Sequence, residues 1–141
     1  MTSRLTPYLN FPGTAREAME FYESVLGGTL TVMTFADAGA EGVPDPQLVM
    51  HAMLETSSGY TLMASDLPPG AEHKPGTNVS VSISGDAAAG DELRGYWSAL
   101  SDGAEIQMPL ERQMWGDDFG SCTDRFGIVW MVNIAGEGGD R

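Results

Sequence analysis

The side chains that most often act as nucleophiles, general bases or metal ligands are few in this 141-residue chain, which has two histidines and one cysteine. His51 is a candidate acid–base or ligand-orienting group, because imidazole titrates near neutral pH. The alternative is a partly buried histidine that bonds a neighbour or contacts a second copy of the chain. His73, between Glu72 and Lys74, is expected to be solvated.

The single cysteine adds little chemistry. Cys122 has no partner for an internal disulfide or a cysteine-based metal site, and no histidine lies near it in the sequence. The sequence also lacks a Gly-x-Ser-x-Gly motif, a phosphate-binding loop and a dinucleotide fingerprint. Apart from His51, the acid–base candidates are carboxylates such as Glu55 and Asp117.

Two further residues are singled out by their neighbours. Trp115 precedes Gly116 in a loop-like stretch, where a large aromatic ring could stack on a ligand or cover the core. Asp124 with Gly127 predicts a turn in which the carboxylate caps backbone N–H groups. Phe126 and Trp130 are predicted to be core residues.

The charge of the chain excludes some classes of partner. Twenty acidic residues against seven basic ones give a formal charge of −13. Such a surface repels phosphate backbones and anionic lipid, so neither nucleic acid nor a membrane is expected as a partner. General solubility is the simpler reason for the acidic bias. The sequence shows no signal peptide and no run of about 18 apolar residues, so a cytoplasmic location is predicted.

The first half of the chain predicts one strand, one helix and three more strands. Residues 5–11 form the first strand, and Thr14 with Glu17 predicts a capping box at the start of the helix. The helix has an apolar face and ends at two glycines, 27 and 28. Strands are predicted at residues 29–35, 47–55 and 60–65. Period-two alternation in the second of these puts His51 on one face with Val49, Met53 and Glu55.

The second half repeats this order. A strand at residues 79–84 precedes a helix with an apolar stripe, and strands follow at residues 104–110, about 119–123 and 128–133. The chain is therefore predicted to be α+β, with two tandem βαβββ units at residues 5–66 and 78–134, joined by residues 67–77. Residues 135–141 form a tail, of which residues 136–141 are expected to fray. Two such units can curl their sheets around a cleft, which a two-fold homodimer often completes.

Three stretches, residues 18–28, 115–120 and 124–133, resemble the vicinal-oxygen-chelate superfamily. This superfamily includes glyoxalase I, bleomycin-resistance proteins and extradiol dioxygenases. The ending most resembles the PhnB-like branch, often labelled 3-demethylubiquinone methyltransferase-like, and the likeness covers residues 5–134. It implies a glyoxalase-like fold with a curved sheet around a cavity. A methyltransferase would need an adenosylmethionine site, usually on a doubly wound fold, and the sequence offers neither.

The resemblance also implies where metal ligands would lie. In metal-dependent members, four ligands stand on the first and last strands of each half, and here those places are taken by Pro7, Met63, Asn78 and Met131. Proline has no side-chain lone pair, and a thioether is a poor ligand for hard divalent ions. The sequence therefore predicts no metal of the family type and no cofactor.

The predicted function is binding or sequestering of a small, partly apolar molecule in the sheet cavity. The candidate ligand-binding residues are His51, Met63, Asn78, Trp115 and Met131. Met63 and Met131 are expected to face the central cavity, with core filling as the alternative. A second hypothesis is a metal-free isomerase, lyase or transferase that uses His51 or a carboxylate, and a third is a structural protein without a pocket. The sequence leaves the identity of the ligand open.

Overall fold

Each half of the chain folds into a four-stranded mixed sheet with one main helix. The computed structural model describes residues 3–68 and 70–136, and the chain forms two units, Met1–Lys74 and Pro75–Arg141. The predicted α+β class with two βαβββ units is confirmed. Within the predicted tail, residues 137–141 lie outside the described part. No helix among the described residues is long and apolar enough to cross a membrane.

The first unit has the sheet order β1-β4-β3-β2. Strand β1 pairs in parallel with β4, and the other neighbours are antiparallel. Its elements are β1 (Tyr8–Phe11), α1 (Ala15–Leu26), β2 (Thr29–Thr34), β3 (Val49–Glu55) and β4 (Thr61–Asp66).

The second unit repeats this topology with the order β5-β8-β7-β6, and β5 is parallel to β8. A short 3₁₀ turn at Ala87–Ala89 precedes the second helix. The elements are β5 (Val81–Gly85), α2 (Gly90–Leu100), β6 (Glu105–Arg112), β7 (Asp118–Thr123) and β8 (Val129–Ile134).

Helix α1 covers one face of the first sheet. Its buried residues repeat at helical spacing, as predicted, and meet the inward-facing residues of the strands. On β1, β3 and β4, the apolar sheet residues of this covered face are at most 8 % exposed, and they include Leu9, Phe11, Ala52, Leu54, Leu62 and Ala64. This packing forms the core of the unit and leaves the alternate residues on the opposite face.

The start of α1 differs from the prediction. Thr14 makes no side-chain capping bond, so the predicted capping box is wrong. Instead, Asp66 at the end of β4 accepts hydrogen bonds from the backbone N–H groups of Gly13 and Ala15, at 3.0 and 2.9 Å. Its second oxygen accepts from Val49 N at 2.9 Å. One buried carboxylate from a distant strand therefore satisfies the helix start and the adjacent strand.

The predicted turn near the end of the second unit is confirmed. Asp124 Oδ1 accepts from the backbone N–H groups of Phe126 and Ile128 at 2.8 and 3.1 Å. Its Oδ2 accepts from the indole N–H of Trp130, which is 1 % exposed and belongs to the core. Phe126 is only half-buried, so the core position predicted for it is wrong.

Candidate functional site

The face of the first sheet opposite α1 carries most of the predicted site residues of that unit. We call it the helix-free face and define it by the central residues of the four strands. It consists of Tyr8 and Asn10 on β1, Met63 and Ser65 on β4, His51 and Met53 on β3, and Thr31 and Met33 on β2. All of these residues are half-buried or exposed, in contrast to the buried residues that alternate with them on β1, β3 and β4.

Tyr8 and His51 form a polar pair on this face. The phenol oxygen of Tyr8 lies 3.3 Å from His51 Nδ1, and the ring centroids are 5.9 Å apart. Because β4 lies between β1 and β3, the Tyr8 side chain reaches across one strand to make this contact. This hydrogen bond involves Nδ1, so Nε2 is the ring nitrogen that can bind a ligand.

Tyr8 is the site residue that sequence reasoning missed. The resemblance pointed to Pro7, whose carbonyl oxygen accepts from Met63 N at 3.0 Å as part of the parallel ladder. Tyr8 is the residue in register with Met63, and its side chain is 46 % exposed. The signal was present in the sequence, since Leu9 and Phe11 alternate inward and Tyr8 and Asn10 must therefore point outward.

Three methionines surround the histidine in the strand register. Met33 lies directly opposite His51, and Met53 lies directly opposite Met63. Met33 is 43 % exposed and the other two are half-buried, so none of them is buried in the core like Met19 at 0 %.

The predicted grouping of Val49 with His51 is wrong. The register of β2 and β3 shifts between Met33 and Thr34, so the extra residue on β3 breaks the strict alternation. Val49 is 1 % exposed, whereas His51 and Met53 remain half-buried. Glu55 is exposed at the end of β3.

In the second unit, Met131 occupies the place on β8 that Met63 has on β4. It is half-buried and lies opposite Ser121 on β7 and beside Ser82 on the parallel strand β5. Asn78 lies before β5 and is exposed, so the structure puts Ser82 rather than Asn78 beside Met131.

Trp115 lies in the loop between β6 and β7. It is 50 % exposed, and its ring centroid is 6.2 Å from that of Phe119. The preceding Met114 is 98 % exposed. This loop therefore presents two large apolar side chains to solvent, and Trp115 does not simply cover the core.

Asp117 is buried and accepts hydrogen bonds, and Cys122 is buried. Asp117 is 2 % exposed and accepts from Asn133 Nδ2 and from Gly136 N, each at 3.1 Å, so its carboxylate holds the ends of β7 and β8 together. Cys122 is fully buried, and that burial, with a smaller contribution from the charge of Asp124, raises the pKa of its thiol to about 11. The protonated thiol is a poor nucleophile at neutral pH.

The comparison with known families covers most of the chain. The model of the 3-demethylubiquinone-9 3-methyltransferase family matches residues 3–133. The chain belongs to this family. It is the PhnB-like branch of the vicinal-oxygen-chelate superfamily, so the resemblance predicted from the three sequence stretches is confirmed.

Solved structures agree with this membership. Protein PA1353 from Pseudomonas aeruginosa is 38 % identical over 96 % of this chain and 99 % of its own, with a TM-score of 0.83. A putative 3-demethylubiquinone-9 3-methyltransferase, PhnB protein, from Bacillus cereus is 24 % identical over 94 % and 100 %, with a TM-score of 0.73. A glyoxylase/bleomycin resistance protein/dioxygenase domain from Frankia shares the fold, at 14 % identity over 99 % and 96 % and a TM-score of 0.64.

The residues of this PhnB-like chain do not fit the divalent metal site that the superfamily implies. The four places assigned from the sequence carry one proline, one amide and two thioethers, and the structure sets Tyr8 and Ser82 beside the two methionines. None of these is an imidazole or carboxylate of the kind that zinc, nickel or iron(II) requires. Among the residues that the structure describes, no group of three or more His, Cys, Asp or Glu side chains could hold a metal ion.

Proposed function

We propose that this PhnB-like protein binds a small, partly apolar organic molecule at the helix-free face of its first sheet, without a divalent metal. The observation that carries the proposal is the Tyr8–His51 pair, which is hydrogen-bonded and set among the exposed or half-buried methionines 33, 53 and 63. The finer prediction, that Asn78, Trp115 and Met131 of the second unit are ligand-binding residues, stays a proposal.

The chemistry of this face favours certain ligands. Unbranched thioether side chains adapt to ring and alkyl surfaces of different shape, and sulfur makes favourable contacts with aromatic rings. His51 Nε2 and the Tyr8 hydroxyl supply a polar anchor at one end of this surface. The residues that define the face include no lysine or arginine, and the chain has a net charge of −13, so neutral or cationic molecules are favoured over anions.

The family name does not by itself supply an activity. Adenosylmethionine sites usually lie on doubly wound parallel sheets, whereas each sheet here is mixed, with a single parallel pair. Binding without methyl transfer is therefore the function that these residues support best.

Methionine methyl groups provide a direct test of binding. Protein labelled with carbon-13 at the methionine methyls is titrated with neutral and cationic aromatic fragments, and the signals are assigned through single Met→Leu variants. We expect saturable shifts for methionines 33, 53 and 63, and little change for the core residue Met19. If no fragment shifts the signals of the helix-free face, the proposal is wrong.

The metal-free part of the proposal has its own measurement. Protein purified without a histidine tag or chelator is analysed for zinc, nickel and iron by elemental mass spectrometry. We expect less than about a tenth of an equivalent of each, because the available donors are poor ligands for these ions. A stoichiometric amount would contradict this and would make His51 the first ligand to mutate.

A second candidate function is acid–base catalysis, which the hydrogen bond between Tyr8 and His51 favours. A phenol can fix the tautomer and orientation of an imidazole that removes or returns a proton. Each fragment that binds is incubated with the protein and followed by proton NMR for chemical change. Conversion that is lost in His51→Ala supports this function, and conversion that persists excludes His51 as its base.

A further inference from the structure

The helix-free face carries a second kind of site. We propose that two thioethers and one imidazole there bind a soft univalent cation, copper(I), with ligands Met33, Met53 and His51. This inference concerns an inorganic ion and does not rest on the proposed binding of an organic molecule.

The strand register brings the three donors together. Met33 and His51 are direct cross-strand partners, and Met53 is diagonally opposite Met33, because its own direct partner is Thr31. His51 and Met53 are two residues apart on β3 and therefore point to the same face. Direct partners have Cβ atoms about 4.5–5.5 Å apart and diagonal ones about 7–8 Å, which long side chains can span.

The accessibility of these side chains suits a ligand site. Met33 is 43 % exposed, while His51 and Met53 are half-buried. Each methionine has three rotatable side-chain bonds, so sulfurs on adjacent strands can converge above the sheet. In contrast, Met19 is fully buried beneath α1 and could not move without disrupting the core.

The donor types select the ion. Thioethers are soft ligands that favour copper(I), and imidazole suits copper as well, whereas magnesium and calcium require oxygen donors. All three ligands are neutral, so a univalent cation keeps the charge of the site low. The −13 charge of the chain raises the concentration of cations near its surface.

Tyr8 acts as a positioning residue for the histidine ligand. Its phenol oxygen is 3.3 Å from His51 Nδ1, which directs Nε2 toward the metal and fixes the ring. Outer contacts of this kind typically change metal affinity by about 10- to 100-fold when removed. Tyr8→Phe removes the hydroxyl group and keeps the ring.

The test is an anaerobic titration of the full chain with copper(I) in competition with the chromogenic chelator bathocuproine disulfonate. We expect one equivalent of copper(I) per chain to remain bound to the protein and not to pass to the chelator. Each of Met33→Leu, Met53→Leu and His51→Gln should weaken binding roughly tenfold or more, about 1.4 kcal/mol. Circular dichroism confirms that each variant is folded, and leucine preserves the apolar volume of methionine.

Control variants test whether copper(I) binds at this site rather than at other sulfur atoms of the chain. Met108 is 39 % exposed on the edge strand of the second unit, so Met108→Leu should leave the affinity unchanged. Cys122→Ala should also leave it unchanged, because that thiol is fully buried. Nitrogen-15 spectra of labelled histidine should show copper-dependent change at His51 Nε2 in the wild type and a weaker, tautomer-mixed response in Tyr8→Phe.

Three results would overturn the inference. They are full transfer of copper(I) to the chelator, equal loss of affinity in Met108→Leu, and loss of binding in Cys122→Ala. The Met→Leu variants retain an apolar surface, so fragment binding should survive in them. Failure of copper binding is thereby distinguishable from failure of the proposed function.

Discussion

At the scale of single residues, burial decides which reactive groups can meet a ligand. His51 is half-buried with one ring nitrogen engaged by Tyr8, whereas Cys122 is enclosed between the strands and helix of its unit. These two reactive residues thus differ in accessibility. The histidine remains available to a ligand, and the cysteine contributes to packing.

The thiol of Cys122 should be unreactive in the folded protein. Its pKa is raised from 9.0 to about 11, so at about pH 8 the thiolate fraction is about a hundredfold below that of an unfolded chain. We expect negligible reaction with a disulfide reagent in buffer and one thiol per chain in denaturant. The stability contributed by the protonated thiol is present below pH 9.0 and is lost as the pH rises through about 11. Rapid labelling of the native protein would contradict this.

At the scale of elements, the periodic spacing of apolar residues allowed the strands and helices to be predicted. The long-range contacts at their ends could not be predicted in this way. The first strand was expected at residues 5–11 and begins at Tyr8. Leu5 is fully exposed, and Pro7 has no N–H to donate to a ladder. The cap of α1 comes from Asp66, 51 residues from Ala15, so no local pattern could indicate it.

The junction of α1 and β2 depends on a glycine that lies against backbone. Gly28 has a φ of +107°, and a Cβ there would overlap the Glu55 carbonyl oxygen and lie 2.6 Å from Thr56 Cα. Gly13 has almost the same φ, +106°, with nothing within 4 Å. In urea unfolding, Gly13→Ala should cost about 1 kcal/mol for its backbone conformation, and Gly28→Ala should cost about 3 kcal/mol or more.

Comparing Gly13→Ala with Gly28→Ala separates the cost of the backbone conformation from the cost of steric overlap. If Gly28→Ala accumulates only as insoluble protein while Gly13→Ala folds, the ranking still holds. Equal free energies of unfolding for the two variants would show that the backbone at Gly28 moves away from Glu55 at little cost.

At the scale of the whole molecule, the tandem repeat could be recognised in the sequence because both halves show the same order of elements and similar helix ends. Only part of the candidate site could be predicted from the sequence. His51 and Met63 were identified from residue type and position, but Tyr8 required the strand order β1-β4-β3, which brings together residues 43 apart in the chain. Asn78 was misaligned relative to β5 because the connector before it carries no periodic pattern.

The excess of acidic residues should make the folded chain more stable when salt screens its charges. All five ion pairs among the described residues involve exposed basic side chains, and such pairs contribute about 0–1 kcal/mol each. Repulsion within a chain of net charge −13 opposes folding over longer distances. Raising NaCl from about 0.01 M to about 0.1 M shortens the Debye length from about 30 Å to about 10 Å. We therefore expect Tm to rise, by roughly 3–5 °C for each 1 kcal/mol gained.

A variant at Asp118 tests whether charge repulsion or ion pairing dominates the effect of salt on Tm. Arg112, by a hydrogen bond of 2.8 Å, and then Arg94 at 3.2 Å lower the pKa of Asp118, and salt weakens this attraction as it relieves repulsion elsewhere. Asp118→Asn loses the attractive term, so its Tm should be lower than that of the wild type in dilute buffer and should rise more steeply with salt. KCl should act like NaCl, since screening does not distinguish the two. A fall in the wild-type Tm with added salt would show that the ion pairs outweigh the repulsion.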